Sequence, residues 1–479
     1  MGEPSWIGVD LGTQSVRAVR VAASGVVLGR AARALSSSRP ADDRHEQDPY
    51  DWFAAVDATL AEVADPSVEG IAICSTSGTV LLTDPTGRPI TSALMYDDAR
   101  AAAELPRVVA ADPDRWSTAM QPTWALPKIL WLTDAAAGAG AGSGAAADGR
   151  RTELRIAHSA DAVAAQLTGH PVATDTSHAL KTGYDLVAGT WPYDAFGRLG
   201  LARECFPDVV LPGTELGRVS AAKAQLTGVP EGTPVYAGMT DGCAAQLAAG
   251  ALAPGAWNSV LGTTLVLKGV SKDLLDDPTG AVYSHRHPDG GWLPGGASNT
   301  GAGALTALLP GADLEVFDRQ ARDLGPVDAA IYPITKRGER FPFVAPDATS
   351  FELGDFPDDL HRYAGVLQGV AFIERLAFEH LVKLGAEPVG SVSLTGGAVR
   401  SGYWNQLRAD VLGVPVELPA ISDPAYGMAI LAASRETSVT ETAARMVKVA
   451  TVLEPRPRGR LENLYGEFVA ELDRRGYLG

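Results

Sequence analysis

The chain has 479 residues, more than one hydrophobic core sustains, so roughly two to four domains are expected. Hydrophobic residues make up 46% and charged residues 20%, which excludes a disordered chain, and 52 glycines with 32 prolines require many tight turns. A net charge of -17 excludes a surface built for nucleic acid or anionic membrane; with no run near the roughly 18 apolar residues of a membrane span and no secretion pattern in MGEPSWIGVD, a cytoplasmic protein is expected.

Ile7 to Leu11 and Val16 to Val21 are apolar runs joined by a turn over Gly12 to Ser15, and Gly25 to Leu28 extends them into an antiparallel meander. Asp10 interrupts the first run. An ionised carboxylate is costly to bury without a partner, so a cation or a hydrogen-bonded cluster is expected there. In HEQDPYDWFAAVDATLAEV, Asp48 and Pro49 read as an N-cap and a first-turn proline, with Phe53, Val56, Leu60 and Val63 on one helical face. Gly70 to Cys74 is a short buried strand ending in the small, polar Ser75 to Gly78; a strand over Thr79 to Thr83 and then MYDDAR, Met95 to Arg100, follow. Trp124 and Trp131 lie in the apolar helix TWALPKILWL and read as core. Asp134 to Gly149, DAAAGAGAGSGAAADG, is of low complexity and reads as a flexible surface excursion without chemistry.

After Pro254, GAWNSVLGTTLVLKGV repeats the strand, Gly-Thr turn and strand of the N-terminus. His285 and His287 read as one face of a hairpin before a Pro-Asp-Gly turn, not as a metal site. Val366, Val370, Ile373, Ala377, Leu381 and Leu384 mark a long helix, and a strand over Val389 to Leu394 runs into TGGAV. Cys74, Cys205 and Cys243 have neither disulfide nor zinc spacing and read as reduced packing residues, while His45 and His158 read as polar surface or packing groups. Each half thus presents a hairpin with a Gly-Thr turn, a helix, and a strand ending in small residues. Two such turns facing one another across a cleft would cradle the phosphates of one nucleotide, with Asp10 holding the accompanying Mg²⁺ directly or through water. No GxxxxGK[ST], no GxGxxG after a strand, and no protein-kinase or nucleophile-elbow pattern occurs.

Along nearly its whole length the chain resembles the FGGY family of carbohydrate kinases, in the superfamily of actin, hexokinase and the heat-shock chaperone ATPases. DLGTQSVRAV resembles the family's first phosphate loop and LGTT, Leu261 to Thr264, the second; SLTGGAVRSGYWNQLRADVLGVPVELP, Ser393 to Pro419, resembles the adenosine segment. GMTDGCAAQLAAG, Gly238 to Gly250, matches the segment that carries the catalytic base, and HEQDP and GERFP, Gly338 to Pro342, are further landmarks. The resemblance implies an α/β fold of two ribonuclease H-like (actin/hexokinase-type ATPase) domains flanking a nucleotide cleft. Residues 1–246 would hold the sugar site, the first phosphate loop and the base; residues 247–479 would hold the second phosphate loop and the adenosine site.

Carried onto this sequence, the resemblance makes Asp241 the catalytic base and Asp10 the metal ligand. A helix N-cap is the purely structural alternative for Asp241, and a hydrogen-bonded turn acid for Asp10. ATP would contact Gly12, Thr13, Gln14 and Arg17 in the first turn and Gly262, Thr263 and Thr264 in the second, where glycine permits close backbone approach. Gly396, Gly397 and Ala398, with Ser401 and Asn405, would receive the adenosine, Asn405 reading the base. The sugar would meet Asp10, Ser77, Gly78, Thr79, Tyr96, Asp97, Arg100, Asp241 and Gly242, an aromatic face packing on its carbon side and a carboxylate accepting from its hydroxyls. Asp98 reads equally as the cap of the next helix. Glycerol kinases typically show an Arg-Glu pair where this chain has Ser77 and Gly78, which disfavours glycerol. STSGTV, MYDDAR and SHALKTGYD with Lys181 look closer to a ribulokinase-like branch, so D-ribulose is the expected substrate and D-xylulose the alternative. The expected partners are a small-molecule sugar and ATP, with no nucleic acid and no membrane, and a homodimer is allowed for. Two rivals from other classes are an actin-like ATPase chaperone and a non-catalytic sugar-binding regulator, both separable by sugar-dependent ADP release.

Overall fold

Strand β1 (Ser5–Leu11) has Ile7, Val9 and Leu11 fully buried, as expected of a strand covered on both faces. The structure, a computed structural model, describes residues 3–138, 153–387, 389–457 and 459–478. β1 pairs antiparallel with β2 (Ser15–Ala22), which pairs antiparallel with β3 (Val27–Ala34), giving the expected meander. On its other side β1 runs parallel to β4 (Val68–Ser75); beyond it lie β6 (Pro234–Tyr236), parallel, and β5 (Glu215–Arg218), antiparallel at the edge. Helix α1 (Pro49–Val63) opens on the expected cap, Asp48 accepting from the Tyr50 N–H at 2.9 Å, and buries Phe53, Val56, Leu60 and Val63.

The same arrangement recurs in the second half. Strands β7 (Trp257–Leu261), β8 (Leu265–Gly269) and β9 (Trp292–Ala297) form an antiparallel meander, and β10 (Val392–Thr395) runs parallel to β7. β11 (Val416–Pro419) follows in parallel and β12 (Val449–Leu453) closes the edge antiparallel. The expected long helix is α4 (Asp359–Lys383), packed beside α5 (Gly402–Leu412). Their contact encloses an ion pair with both side chains fully buried. Arg408 donates twice to Glu374 at 2.7 Å and once to the Ser259 hydroxyl on β7 at 2.7 Å. With every carboxylate oxygen engaged, the pair fixes the packing, and removing one partner would strand a charge in the core.

The chain forms two compact units that are not consecutive in sequence: Met1–Ala248 with His285–Asp289 and Asp423–Met446, and Ala249–Ser284 with Gly290–Ser422 and Val447–Gly479. The return of Asp423–Met446 to the first unit departs from the two successive halves expected from the sequence. Its physical reason is helix α6 (Pro424–Ala433), apolar on every side and therefore in need of burial on every side. One face lies on β1, where a Cβ at Gly8 would sit 1.8 Å from the Ala425 carbonyl oxygen; the other lies on helix α3 (Asp241–Ala248), where a Cβ at Gly427 would sit 2.0 Å from the Ala244 carbonyl oxygen. Only glycine allows backbones so close.

Other expectations are amended. Helix α2 (Ala125–Gly138) carries the chain regularly through Asp134, so the low-complexity segment begins inside a helix; its residues 139–149 lie outside the described residues. His45 and His158 are buried, the packing alternative of the two expected, and His285 and His287 are buried as well, His285 on the strand Tyr283–Arg286 that neighbours β9. The three cysteines are free and buried, and among the described residues no helix is long and apolar enough to cross a membrane.

Candidate active site

Register places Asp10 opposite Arg17 across the β1–β2 pair, and the guanidinium reaches the carboxylate at 2.8 Å. Asp10 is 2% exposed; burial, opposed by Arg17 and reinforced by the charges of Asp241 and Asp423, pushes its pKa up to about 7. Asp423 caps α6 by accepting from the Ala425 N–H at 3.1 Å and lies 4.0 Å from Arg17. Asp241 is the first residue of α3, with Thr240 supplying the carbonyl that accepts from the Cys243 and Ala244 N–H groups. It therefore does not occupy the cap position, though it accepts from the Gly242 N–H at 2.8 Å. Its charge is felt by Asp10, by the buried Cys74 and by Tyr96. Asp10 and Asp423 thus lie within 4.0 Å of one half-exposed guanidinium and Asp241 is near enough for its charge to act on Asp10, while among the described residues no group of three His, Cys, Asp or Glu is placed to chelate a metal unaided.

Both Gly-Thr turns form as expected, with one correction. The Gly12 N–H donates to the Ser15 carbonyl and the Gly262 N–H to the Thr264 carbonyl, each at 3.1 Å, so those two donors close the turns and are not offered to a phosphate. Thr13 is anchored through its carbonyl by Gln47 Nε2 at 2.6 Å, and the Gln14 side chain is exposed. Thr263 is exposed at the tip of the second turn; its carbonyl accepts from the Gly303 N–H at 3.1 Å, and a Cβ at Gly301 would lie 2.4 Å from that oxygen. Behind this turn the buried Glu339 of GERFP accepts from Ser298 Oγ at 2.9 Å, the Asn299 N–H at 2.7 Å and Tyr332 Oη at 3.1 Å, while the Thr300 carbonyl accepts from the Leu265 N–H at 2.8 Å. The landmark is thereby explained as a brace.

At the end of β10, Gly396 has φ +89° and lies against β7, a Cβ there falling 2.6 Å from the Leu261 carbonyl oxygen. Gly397 faces open space, with nothing within 4 Å of its Cβ position, and Ala398 packs partly on the core. Ser401 caps α5 by accepting from the Trp404 N–H at 2.9 Å and also bonds Asp318. Asn405 is a correction: it is buried at 3% exposure and donates to the Val399 carbonyl at 2.8 Å, holding the loop shape instead of presenting its amide outward.

The loops expected to bind sugar are organised by Lys128, which the sequence reading missed. Its buried ammonium donates to the carbonyls of Gly78, Met95 and Tyr96 at 3.1, 2.6 and 3.1 Å, tying STSG to MYDD; burial pulls its pKa down to about 7. Lys181 donates to the Ser77 carbonyl at 3.3 Å. Tyr96 is 45% exposed. Asp97, although burial works against it, is held below the usual carboxylate range by Arg39 and His45, whose atoms lie 2.8 and 2.5 Å away. Two expected contacts are engaged elsewhere. Thr79 is fully buried with its hydroxyl 2.6 Å from that of Thr76, and Arg100, its side chain 5% exposed, is held by Asp98 at 2.8 Å and Glu46 at 2.6 Å. Asp98 also accepts from the His45 N–H at 2.7 Å and the Arg100 N–H at 3.2 Å, and since Ala101 holds the cap position of the next helix, Asp98 is not its cap. Asp423 and Lys128 gave no local signal: one follows a strand like any cap, the other lies in an apolar helix.

Two sheets that share six strands in the same order, the second with one more at its edge, each carrying a Gly-Thr hairpin, define an α/β fold of the actin and hexokinase type. The family models of the FGGY family of carbohydrate kinases match here, the N-terminal domain over residues 5–248 and the C-terminal domain over residues 257–435. The chain is 30% identical over 437 residues to a xylulose kinase of Streptomyces coelicolor, covering 87% of this chain and 84% of that protein. It is 24% identical over 441 residues to a gluconokinase of Bacillus subtilis, covering 86% and 84%. The crystal structure of a xylulose kinase from Rhodospirillum rubrum matches with a TM-score of 0.85 at 26% identity over 98% of both chains. The chain belongs to the FGGY family of carbohydrate kinases, and its reaction is phosphoryl transfer from ATP to an alcohol group of a sugar.

Proposed function

We propose that the chain phosphorylates a ketopentose, with D-xylulose the substrate ahead of D-ribulose, and that Asp241 is the base. The observation that carries this reading is the buried Asp10, on which the charges of Asp241 and Asp423 both act and which Arg17 only partly offsets. Excess negative charge at one place suits a cation, and an acid beside it suits proton acceptance. The Asp10 site fits Mg²⁺, which keeps several waters and phosphate oxygens and needs only one or two protein carboxylates. When bound, Mg²⁺ would neutralise phosphate oxygens and help align the γ-phosphoryl group.

In this reading Asp241 accepts a hydrogen bond from the attacking hydroxyl and takes its proton as the new oxygen–phosphorus bond forms; the γ-phosphorus to bridging-oxygen bond breaks and ADP leaves. Asp97, ionised and oriented by Arg39 and His45, accepts from sugar hydroxyls, and Tyr96 covers the carbon face. The open space at Gly397 supports its place beside the adenosine. Relatives named xylulose kinase support xylulose over the ribulose expected from the sequence.

The test is ADP release with MgATP over D-xylulose, D-ribulose, L-xylulose, D-gluconate and glycerol. The reading expects the highest kcat/KM with D-xylulose; a higher value with another sugar replaces the substrate, and ADP release indifferent to all of them removes the sugar-kinase reading. Asp241→Asn should lower kcat by at least about 10³-fold, beyond the loss of an auxiliary base, while ADP binding stays within about threefold. Near-normal turnover would remove Asp241 from the base role.

A further inference from the structure

The peptide before Asp241 is held by a closed ring of buried polar groups that the reaction itself does not use. The Thr240 N–H donates to Ser177 Oγ at 2.8 Å. Because that hydroxyl oxygen accepts from Thr240, its own proton goes to Asp175 Oδ1, 2.6 Å away. Asp175 also accepts from the Ser177 and His178 N–H groups at 2.8 and 3.2 Å, and its other oxygen bonds His178 Nδ1. His178 Nε2 lies 2.8 Å from Ser75 Oγ, at the end of β4. Ser75 closes the ring by donating its backbone N–H to the Met239 carbonyl at 3.4 Å, in a parallel bridge with Thr240.

Ser75, Asp175, Ser177, His178 and Thr240 are each at most 2% exposed, so no water competes for these bonds. Gly238 presses the same loop onto β4, where a Cβ would lie 1.8 Å from the Ile73 carbonyl oxygen. The loop is thus clamped from above by the Thr240 N–H and from below by the Met239 carbonyl, one residue before the acid. We propose that the Ser177, Asp175 and His178 cluster is a positioning device for the Asp241 carboxylate, fixing the start of α3 relative to the end of β4. The inference rests on the reading of Asp241 as the base. None of these residues touches substrate; they act through the Thr240 peptide. Its chemical content is distance: a base must lie within hydrogen-bond reach of the attacking hydroxyl, and a misplacement of about 1 Å costs on the order of 100-fold. Burial lowers the His178 pKa and Asp175 raises it by more, so the net direction is upward, in keeping with the bond between the two.

The test compares Ser177→Ala, Ser177→Thr and His178→Gln with the unaltered enzyme, all normalised to folded protein. Each is assayed for kcat, for KM of ATP and of the best sugar, and for ADP affinity. Ser177→Ala should lower kcat about 10- to 100-fold while both KM values and ADP affinity stay within about threefold, and Ser177→Thr, which keeps the hydroxyl, should recover most of the loss. His178→Gln is read by the same criteria should Ser177→Ala not fold. A kcat within twofold of the unaltered enzyme, a loss shared equally by KM and ADP affinity, or failure of both variants to fold overturns the proposal, because the cluster would then serve the fold and not the base. Asp241→Asn in the same series separates the two ideas. Normal turnover there removes the base assignment, whereas lost turnover there beside unaffected Ser177→Ala and His178→Gln removes only the positioning role.

Discussion

Replacing Asp10 with Asn removes a charge that the fold holds at a cost. The Asp10 carboxyl has a pKa of about 7, against the ordinary 3.8, with burial the largest cause. Since the folded value lies above the unfolded one, both states are protonated at low pH and the contribution to stability is intact there. As pH rises through the window from about 4 to about 7, the unfolded chain gives up its proton first and that contribution is lost. At about 1.4 kcal/mol for each pKa unit, the rise from 3.8 to about 7 amounts to about 4 kcal/mol at pH 8. Asparagine keeps the shape without the charge. The value of about 7 already includes the opposing pull of Arg17, so loss of that pair is not subtracted a second time. Urea denaturation monitored by circular dichroism should therefore find Asp10→Asn about 2 kcal/mol more stable than the unaltered protein at pH 5 and about 4 kcal/mol more stable at pH 8. Phosphoryl transfer should meanwhile fall by on the order of 100-fold or more, as expected for loss of electrostatic stabilisation. A variant less stable than the unaltered protein at pH 8, or a stability difference that does not change between the two pH values, would refute the burial argument.

Gly397→Val projects into the open space beside that residue, so ADP affinity by calorimetry should weaken about tenfold while the melting temperature shifts by under about 2 °C. Gly8→Ala sets a methyl carbon 1.8 Å from the Ala425 carbonyl oxygen, which neither backbone can yield easily, and should cost about 3 kcal/mol or prevent folding; a stable, active variant would show that α6 slides freely on β1. Lys128→Met leaves the carbonyls of Gly78, Met95 and Tyr96, the first two buried, without their donor and frees STSG from MYDD; the sugar KM should rise about tenfold or more with the ATP KM unchanged, and equal effects on both would contradict its assignment to the sugar loops.

Much of this was legible in the residues. The two hairpins, their Gly-Thr turns, the capped helix after Asp48 and the long helix before TGGAV appear where hydrophobic periodicity and cap chemistry put them. The acid inside a core strand announced an unusual site, and Asp10 is buried beside further carboxylates. Less legible was how polar groups would be shared out. Arg100, Thr79 and Asn405 have the residue types of a binding site, yet each is committed to an internal partner.

What the sequence by itself determined is local: periodicity, caps, turns and glycine positions depend on neighbours a few residues away, and these set the elements and the repeated meander. Only the tertiary structure decided that α6, written late in the chain, packs between β1 and α3, so that Asp423 joins Asp10 and Asp241. Charge and hydrogen bonding act through space, and a carboxylate's neighbours in space are chosen by packing that joins distant segments. The spacing of residues along the chain carries no record of that choice.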